Sequence, residues 1–122
     1  MAVDDAVRGF VITALVLGAA AAYAHAHLDR ASPAAGATLS TAPSEVTLHF
    51  TQNLEPKFST IAVRDAAGKQ VDKGDSRVDE KDLALLKVSL QPLVPGRYKV
   101  EWRATSVDTH SSKGDYHFRI GR

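Results

Sequence analysis

Leu93-Val94-Pro95-Gly96-Arg97-Tyr98-Lys99-Val100-Glu101-Trp102-Arg103-Ala104 is the stretch that decides the fold. Pro95-Gly96 suits the centre of a type II turn, where Gly accepts the positive φ that the second position demands. From Arg97 the side chains alternate. Tyr98, Val100, Trp102 and Ala104 point one way, and Lys99, Glu101 and Arg103 the other. A period of two marks a strand with one face on a core. A Tyr at the start of a strand, just after a Gly turn, is the sequence trace of a tyrosine corner. There the hydroxyl bonds back to the preceding connection and locks a crossover between sheets. Trp102 shares the inward face and is the expected centre of the core.

The same pattern continues on both sides of this stretch. Glu45 to Thr51 alternates, with Val46, Leu48 and Phe50 inward and Thr47, His49 and Thr51 outward. Gln52 to Lys57 breaks that strand, and Pro56 bends the chain. Phe58 to Arg64 reads as the next strand, Asp65-Ala-Ala-Gly68 as a turn, and Lys69 to Asp72 as the start of a return strand. Residues 73–82 are polar and read as a solvated loop or weak edge strand. Leu83 to Leu90 is a further strand. Thr105 to Gly114 reads as a polar loop, and Asp115 to Ile120 closes the chain with Tyr116, Phe118 and Ile120 on one face. Residues 25–44 give a short first strand and a long connection. About seven short strands, turn signals between them, no helix of note and no repeat predict an all-β fold. The expected architecture is an antiparallel Greek-key β-sandwich, an immunoglobulin-like or cupredoxin-like barrel.

The first 24 residues are of another kind. Residues 9–24 are uncharged and mostly apolar, Arg8 precedes them, and Ala22-Tyr23-Ala24 has the small-x-small form of a signal-peptidase site. The apolar run falls short of the roughly 20 residues of a membrane span. Residues 1–24 are therefore expected to be a signal peptide, and residues 25–122 one exported, soluble, monomeric domain. A retained N-terminal anchor is the alternative. The whole chain has 122 residues, 15 Lys+Arg, 14 Asp+Glu and no Cys. Removing residues 1–24 leaves 14 basic and 12 acidic side chains, a formal charge of +2. The basic residues are scattered along the sequence, and nothing in them points to a nucleic-acid partner. Without Cys, a disulfide framework, a thiolate metal site and a Cys nucleophile are all excluded.

Five His remain to be explained: 25, 27, 49, 110 and 117. His49 and His117 fall on strands out of phase with the core residues and read as surface side chains. Cleavage after Ala24 changes the status of His25. Its freed α-amine and its imidazole Nδ1 then lie on one residue and can close a chelate ring on a single metal ion. An α-amine titrates near ~8, so a strongly bound metal displaces its proton easily. His27 follows two residues on and projects to the same side of an extended chain. Asp108-Thr109-His110 is the second constellation, a carboxylate and an imidazole at i, i+2 in a loop at one end of the expected sandwich. Periodicity does not say whether the N-terminus lies at that end. An amine, imidazoles and a carboxylate suit Cu(II) in a tetragonal arrangement, with Zn(II) or Ni(II) as weaker candidates. A blue-copper site needs a Cys thiolate, and a Cu(I) site prefers thioethers, whereas the single Met is Met1. Ser111 and Ser112 adjoin His110 without a nucleophile elbow, and no phosphate-binding Gly-rich loop is present. No catalysis is expected.

The residues His25-Ala-His-Leu28, Ser32-Pro-Ala-Ala-Gly36, Ala42-Pro43, Val46-Thr-Leu-His-Phe50, Phe58-Ser59, Leu93 to Trp102 and Ser106-Val-Asp-Thr-His110, followed by Gly114 and Phe118, together carry a specific resemblance. In this order and spacing the chain resembles the CopC-type periplasmic copper-binding, copper-resistance proteins from His25 onward. The resemblance implies a small Greek-key sandwich that binds one Cu(II) ion in the periplasm for sequestration, homeostasis or resistance. It implies delivery to an inner-membrane transporter of the CopD type. It implies His25, through amine and imidazole, together with Asp108 and His110 as ligands, and His27 as an additional one. Two departures stand out. Gln52 takes a position where many relatives carry an acid, and the Met-rich loop of some relatives is missing. Two rival readings are a metal-free immunoglobulin-like binding module and an N-terminal-His copper mono-oxygenase. Against the second stand the small size and the carboxylate ligand.

Overall fold

The computed structural model describes residues 26–121. The expected leader and His25 lie outside the described residues. The strands are β1 (Leu28–Ser32), β2 (Thr38–Leu39), β3 (Glu45–Phe50), β4 (Thr60–Arg64), β5 (Arg77–Val78), β6 (Leu85–Ser89), β7 (Gly96–Thr105) and β8 (Ser111–Ile120), with a 3-10 turn at Pro56–Phe58. They form two four-stranded sheets, ordered β1-β3-β6-β5 and β2-β8-β7-β4. Consecutive strands β3 and β4 lie in different sheets, as Greek-key connections require. The strand pairings are antiparallel, except that short β2 runs parallel to the end of β8. The β-sandwich read from the sequence is the observed fold.

The alternating residues meet between the sheets. Val46, Leu48 and Phe50 of β3 and Leu86 and Val88 of β6 face Ile61, Val63, Tyr98, Val100 and Phe118 of the other sheet, all buried. The Tyr98 hydroxyl donates to the Val94 carbonyl at 2.5 Å, which is the tyrosine corner, and its ring stacks on Phe118 with centroids 5.5 Å apart. Trp102 is not the centre of this core. It is only partly buried and meets Phe50 edge-to-face at 5.2 Å, while Phe50 and Phe118 are the large, fully buried rings. The reason is its cross-strand partner, Gly114, whose missing side chain leaves the indole room to lie across β8.

Eight strands stand where about seven were expected. Phe58 belongs to the 3-10 turn and not to the strand after it, and β6 is trimmed to Leu85–Ser89. Two larger differences have a clear physical cause. Lys69 to Asp72 makes isolated bridges (Arg64 with Gln70, Asp72 with Leu90) and no strand. Here a side chain replaces ladder carbonyls. The buried Asp72 carboxylate accepts the backbone N–H groups of Val63 and Gly74, each at 2.8 Å. The expected polar loop from Thr105 to Gly114 is also shorter. β7 and β8 stay paired as far as Thr105–Ser111, so the connection contracts to Ser106–His110. Ladder pairing uses backbone groups and needs no apolar residue, so Ser111 to Gly114 extends β8 without showing the alternation that marks a strand.

Candidate metal centre

The hairpin connection Ser106–His110 is closed by its own backbone. Ser106 N–H donates to the His110 carbonyl and Thr109 N–H to the Ser106 carbonyl, both at 2.9 Å. Thr109 takes φ 73°, a left-handed conformation that L side chains rarely adopt. This tight path sets Asp108 beside His110, with Oδ1 3.3 Å from Nδ1. That is close to the separation two donors take on one divalent ion with bonds of about 2.0–2.2 Å. Both side chains are about half exposed, at 51% and 47%, so an ion reaches them directly.

Ser106 positions the carboxylate. It is buried, and its hydroxyl bonds Asp108 Oδ1 and lies 3.2 Å from the His110 carbonyl. The Ser106 hydroxyl, then the neighbouring His110, hold the Asp108 carboxyl below the usual carboxylate range against the opposing effect of desolvation. Asp108 is therefore an anion at neutral pH, as a ligand for a cation must be.

The chain's first described residues arrive at the same end of the sandwich. The buried Ala26 gives its carbonyl to Ser112 Oγ at 2.8 Å, two residues beyond His110. His27 is exposed and tied to the end of β3, its N–H to Thr51 Oγ1 at 3.0 Å and its carbonyl to Thr51 N–H at 2.9 Å. Asn53 accepts the Val107 N–H at 3.1 Å, and Leu54 bridges Ser106. Gln52 thus sits in the chain between the residue that holds His27 and the residue that holds the backbone of the Ser106–His110 connection.

Of the four residues proposed as ligands from sequence, the structure brings Asp108 and His110 into contact and puts His27 on the adjoining arm. His25, one residue before Ala26, lies outside the described residues. Among the described residues no group of three or more His, Cys, Asp or Glu is arranged to hold a metal ion. His117 is on β8 opposite Lys99, away from the loop. His49 is on the outer face of β3 as read from the sequence, but it is less open than a surface reading implies. Its side chain is 22% exposed, with Nε2 3.1 Å from Asp82 and Nδ1 3.8 Å from Asp29. Ser106 and Ser112 are the positioning residues that sequence reasoning passed over. Ser106 has a local signal, a Ser two residues before the Asp that its hydroxyl bonds. Ser112 has none, since its partner is 86 residues away.

Comparison with known proteins gives the family and the fold. Residues 28–121 match the CopC domain. Protein YobA of Escherichia coli (strain K12) is 36% identical over 99 residues, 80% of each chain. Copper resistance protein C of Pseudomonas syringae pv. tomato is 34% identical over 113 residues, 86% of this chain and 87% of that one. The crystal structure of CopC from Methylosinus trichosporium OB3b superposes with a TM-score of 0.71 at 32% identity, covering 80% of this chain and 94% of that chain. With its sandwich, its Asp-Thr-His loop and a family match across nearly all of the described residues, the chain belongs to the CopC domain family.

Proposed function

We propose that this chain binds one Cu(II) ion through the α-amine and imidazole of His25 and the side chains of Asp108 and His110, with His27 as a further donor. It works in the periplasm after cleavage at Ala24. It holds copper there for sequestration, homeostasis or resistance, hands it on to an inner-membrane transporter of the CopD type, and catalyses no reaction. The observation that carries this reading is the ionised Asp108 and its partner His110, open to solvent, two residues before the Ser112 that anchors Ala26. An anchored Ala26 limits the reach of a terminal His25 to this end of the sandwich. A nitrogen-rich set with one carboxylate matches the tetragonal N/O preference of Cu(II), and the absence of Cys argues against softer alternatives. The copper resistance proteins among the relatives support the choice of metal.

The test concerns the N-terminus. One chain is prepared to start at His25 and a second with one Gly before it. The first is expected to bind Cu(II) tightly with a tetragonal, nitrogen-rich EPR signal. The second is expected to bind orders of magnitude more weakly, because the added residue moves the amine out of the chelate ring. Equal affinities sink the proposal.

A further inference from the structure

The basic residues that look scattered in the sequence are gathered by the strand register. On the outward side of the β7–β8 ladder the directly opposed pairs are Arg97–Arg119, Lys99–His117, Glu101–Asp115 and Arg103–Lys113. Arg64 of β4 lies opposite Lys99 on the other flank. The residues between them, Tyr98, Val100, Tyr116 and Phe118, are buried inward, which turns the charged set outward. Like charges directly opposed across strands destabilise a sheet, and here they recur along the ladder. Arg64, Arg97, Lys99, Arg103, Lys113 and Arg119 stand against two acids, Glu101 and Asp115, for a net +4 on one face. The other described residues carry seven Lys or Arg and ten Asp or Glu, a net −3. The domain is close to neutral as a whole, with positive charge gathered on this face and the excess of acid in the connections between strands.

The face offers little apolar surface to a protein partner, chiefly the partly buried Trp102 and Ala62 in a shallow hollow among charged side chains. The exposed large hydrophobics, Phe58, Leu83, Val94 and Val107, all lie off these four strands. Stable protein interfaces are built around apolar or aromatic anchors. An anionic lipid surface asks only for spread positive charge on a broad face. We propose that the outer face of the β2-β8-β7-β4 sheet docks the domain on a bilayer of anionic lipids. The strands then lie along the membrane plane. The Ser106–His110 loop, at the strand ends, emerges at the rim of the contact and stays open to a metal or a membrane partner.

Residues 25–122 suffice for the test, since 80% of this chain accounts for 94% of the solved relative and all described core residues fall within it. Sedimentation with phosphatidylcholine vesicles, with and without phosphatidylglycerol, reads the binding. Binding is expected only when phosphatidylglycerol is present, and it fades as salt rises through physiological ionic strength. Arg97→Glu with Lys99→Glu sets opposite charges against Arg119 and Arg64. This pair is expected to weaken vesicle binding by about tenfold or more, while the melting temperature and Cu(II) affinity hold or rise. Lys73→Glu with Lys81→Glu, in exposed loops off the face, should leave binding unchanged. Equal binding to both vesicle types, equal loss in the two double variants, or release by inorganic phosphate at the lipid-phosphate concentration overturns the proposal. If the first double variant melts below the parent, Arg119→Gln is read in its place, and unchanged vesicle binding by it is equally fatal.

Discussion

Gly114→Ala tests the packing of β7 on β8 beside the Ser106–His110 connection. A Cβ on Gly114 would stand 2.5 Å from Trp102 Cζ2, 2.9 Å from Cε2 and 3.2 Å from Nε1. Carbon atoms prefer separations of about 3.5–4.0 Å, so the indole must shift by about 1 Å or β8 must part from β7. The indole already meets Phe50 edge-to-face with centroids 5.2 Å apart and planes at 72°, and Phe50 is fully buried. In unstrained backbone, Gly→Ala usually stabilises by about 0.4–1 kcal/mol through the unfolded chain. Overpacking costs about 1–3 kcal/mol, so the clash outweighs that gain. A net loss of about 1–2 kcal/mol lowers the melting temperature of a domain this size by roughly 4–16 °C. Trp102 is the single Trp, so its fluorescence reports both the melt and the altered ring environment. A melting temperature equal to or above that of the parent, with unchanged emission, refutes the reasoning, because the ring would then have an escape that the contacts deny it.

The other predictions concern the proposed copper site, a buried carboxylate and pH. His110→Ala should weaken Cu(II) binding far more than His117→Ala, measured by competition titration; the reverse order misplaces the site. In the same titration Ser106→Ala should cost about 10–100-fold, the usual effect of losing a residue that orients a ligand, and no change would show that the Ser106–Asp108 bond does not orient the carboxylate. Asp72→Ala leaves the N–H of buried Val63 without its acceptor and should destabilise by about 1–3 kcal/mol in urea unfolding. A smaller change means the backbone finds another partner. The Asp79 carboxyl lies below its ordinary 3.8, chiefly because Lys87 Nζ donates to it at 2.7 Å. A depressed folded pKa stabilises the native state above the ordinary value and loses that effect as pH falls toward the folded one. The stability difference between the parent and Asp79→Asn should therefore be present at neutral pH and shrink below about pH 4. A difference that stays constant down to acid unfolding contradicts the assignment.

Much of this protein is written locally. The alternation from Tyr98 to Ala104, and that from Val46 to Phe50, is a period-two signal within single strands. It announces a half-buried sheet without reference to any partner. Gly96 followed by Tyr98 places the tyrosine corner for the same reason, since hydroxyl and acceptor are four residues apart. The Asp108-Thr-His110 pair is equally local, and so are the leader and the His25 it would expose. Tertiary structure decided what depends on register and on distant contacts. No local pattern tells that Ala26 meets Ser112, that His27 meets Thr51, or that Asn53 meets Val107. Trp102 reads as the centre of the core, but its pairing with Gly114 lets the indole lie across β8 and leaves it only partly buried. The basic side chains from Arg64 to Arg119 looked scattered until pairing of β4, β7 and β8 aligned them. A strand's pattern says which residues share a face, but only pairing says which faces and which charges meet.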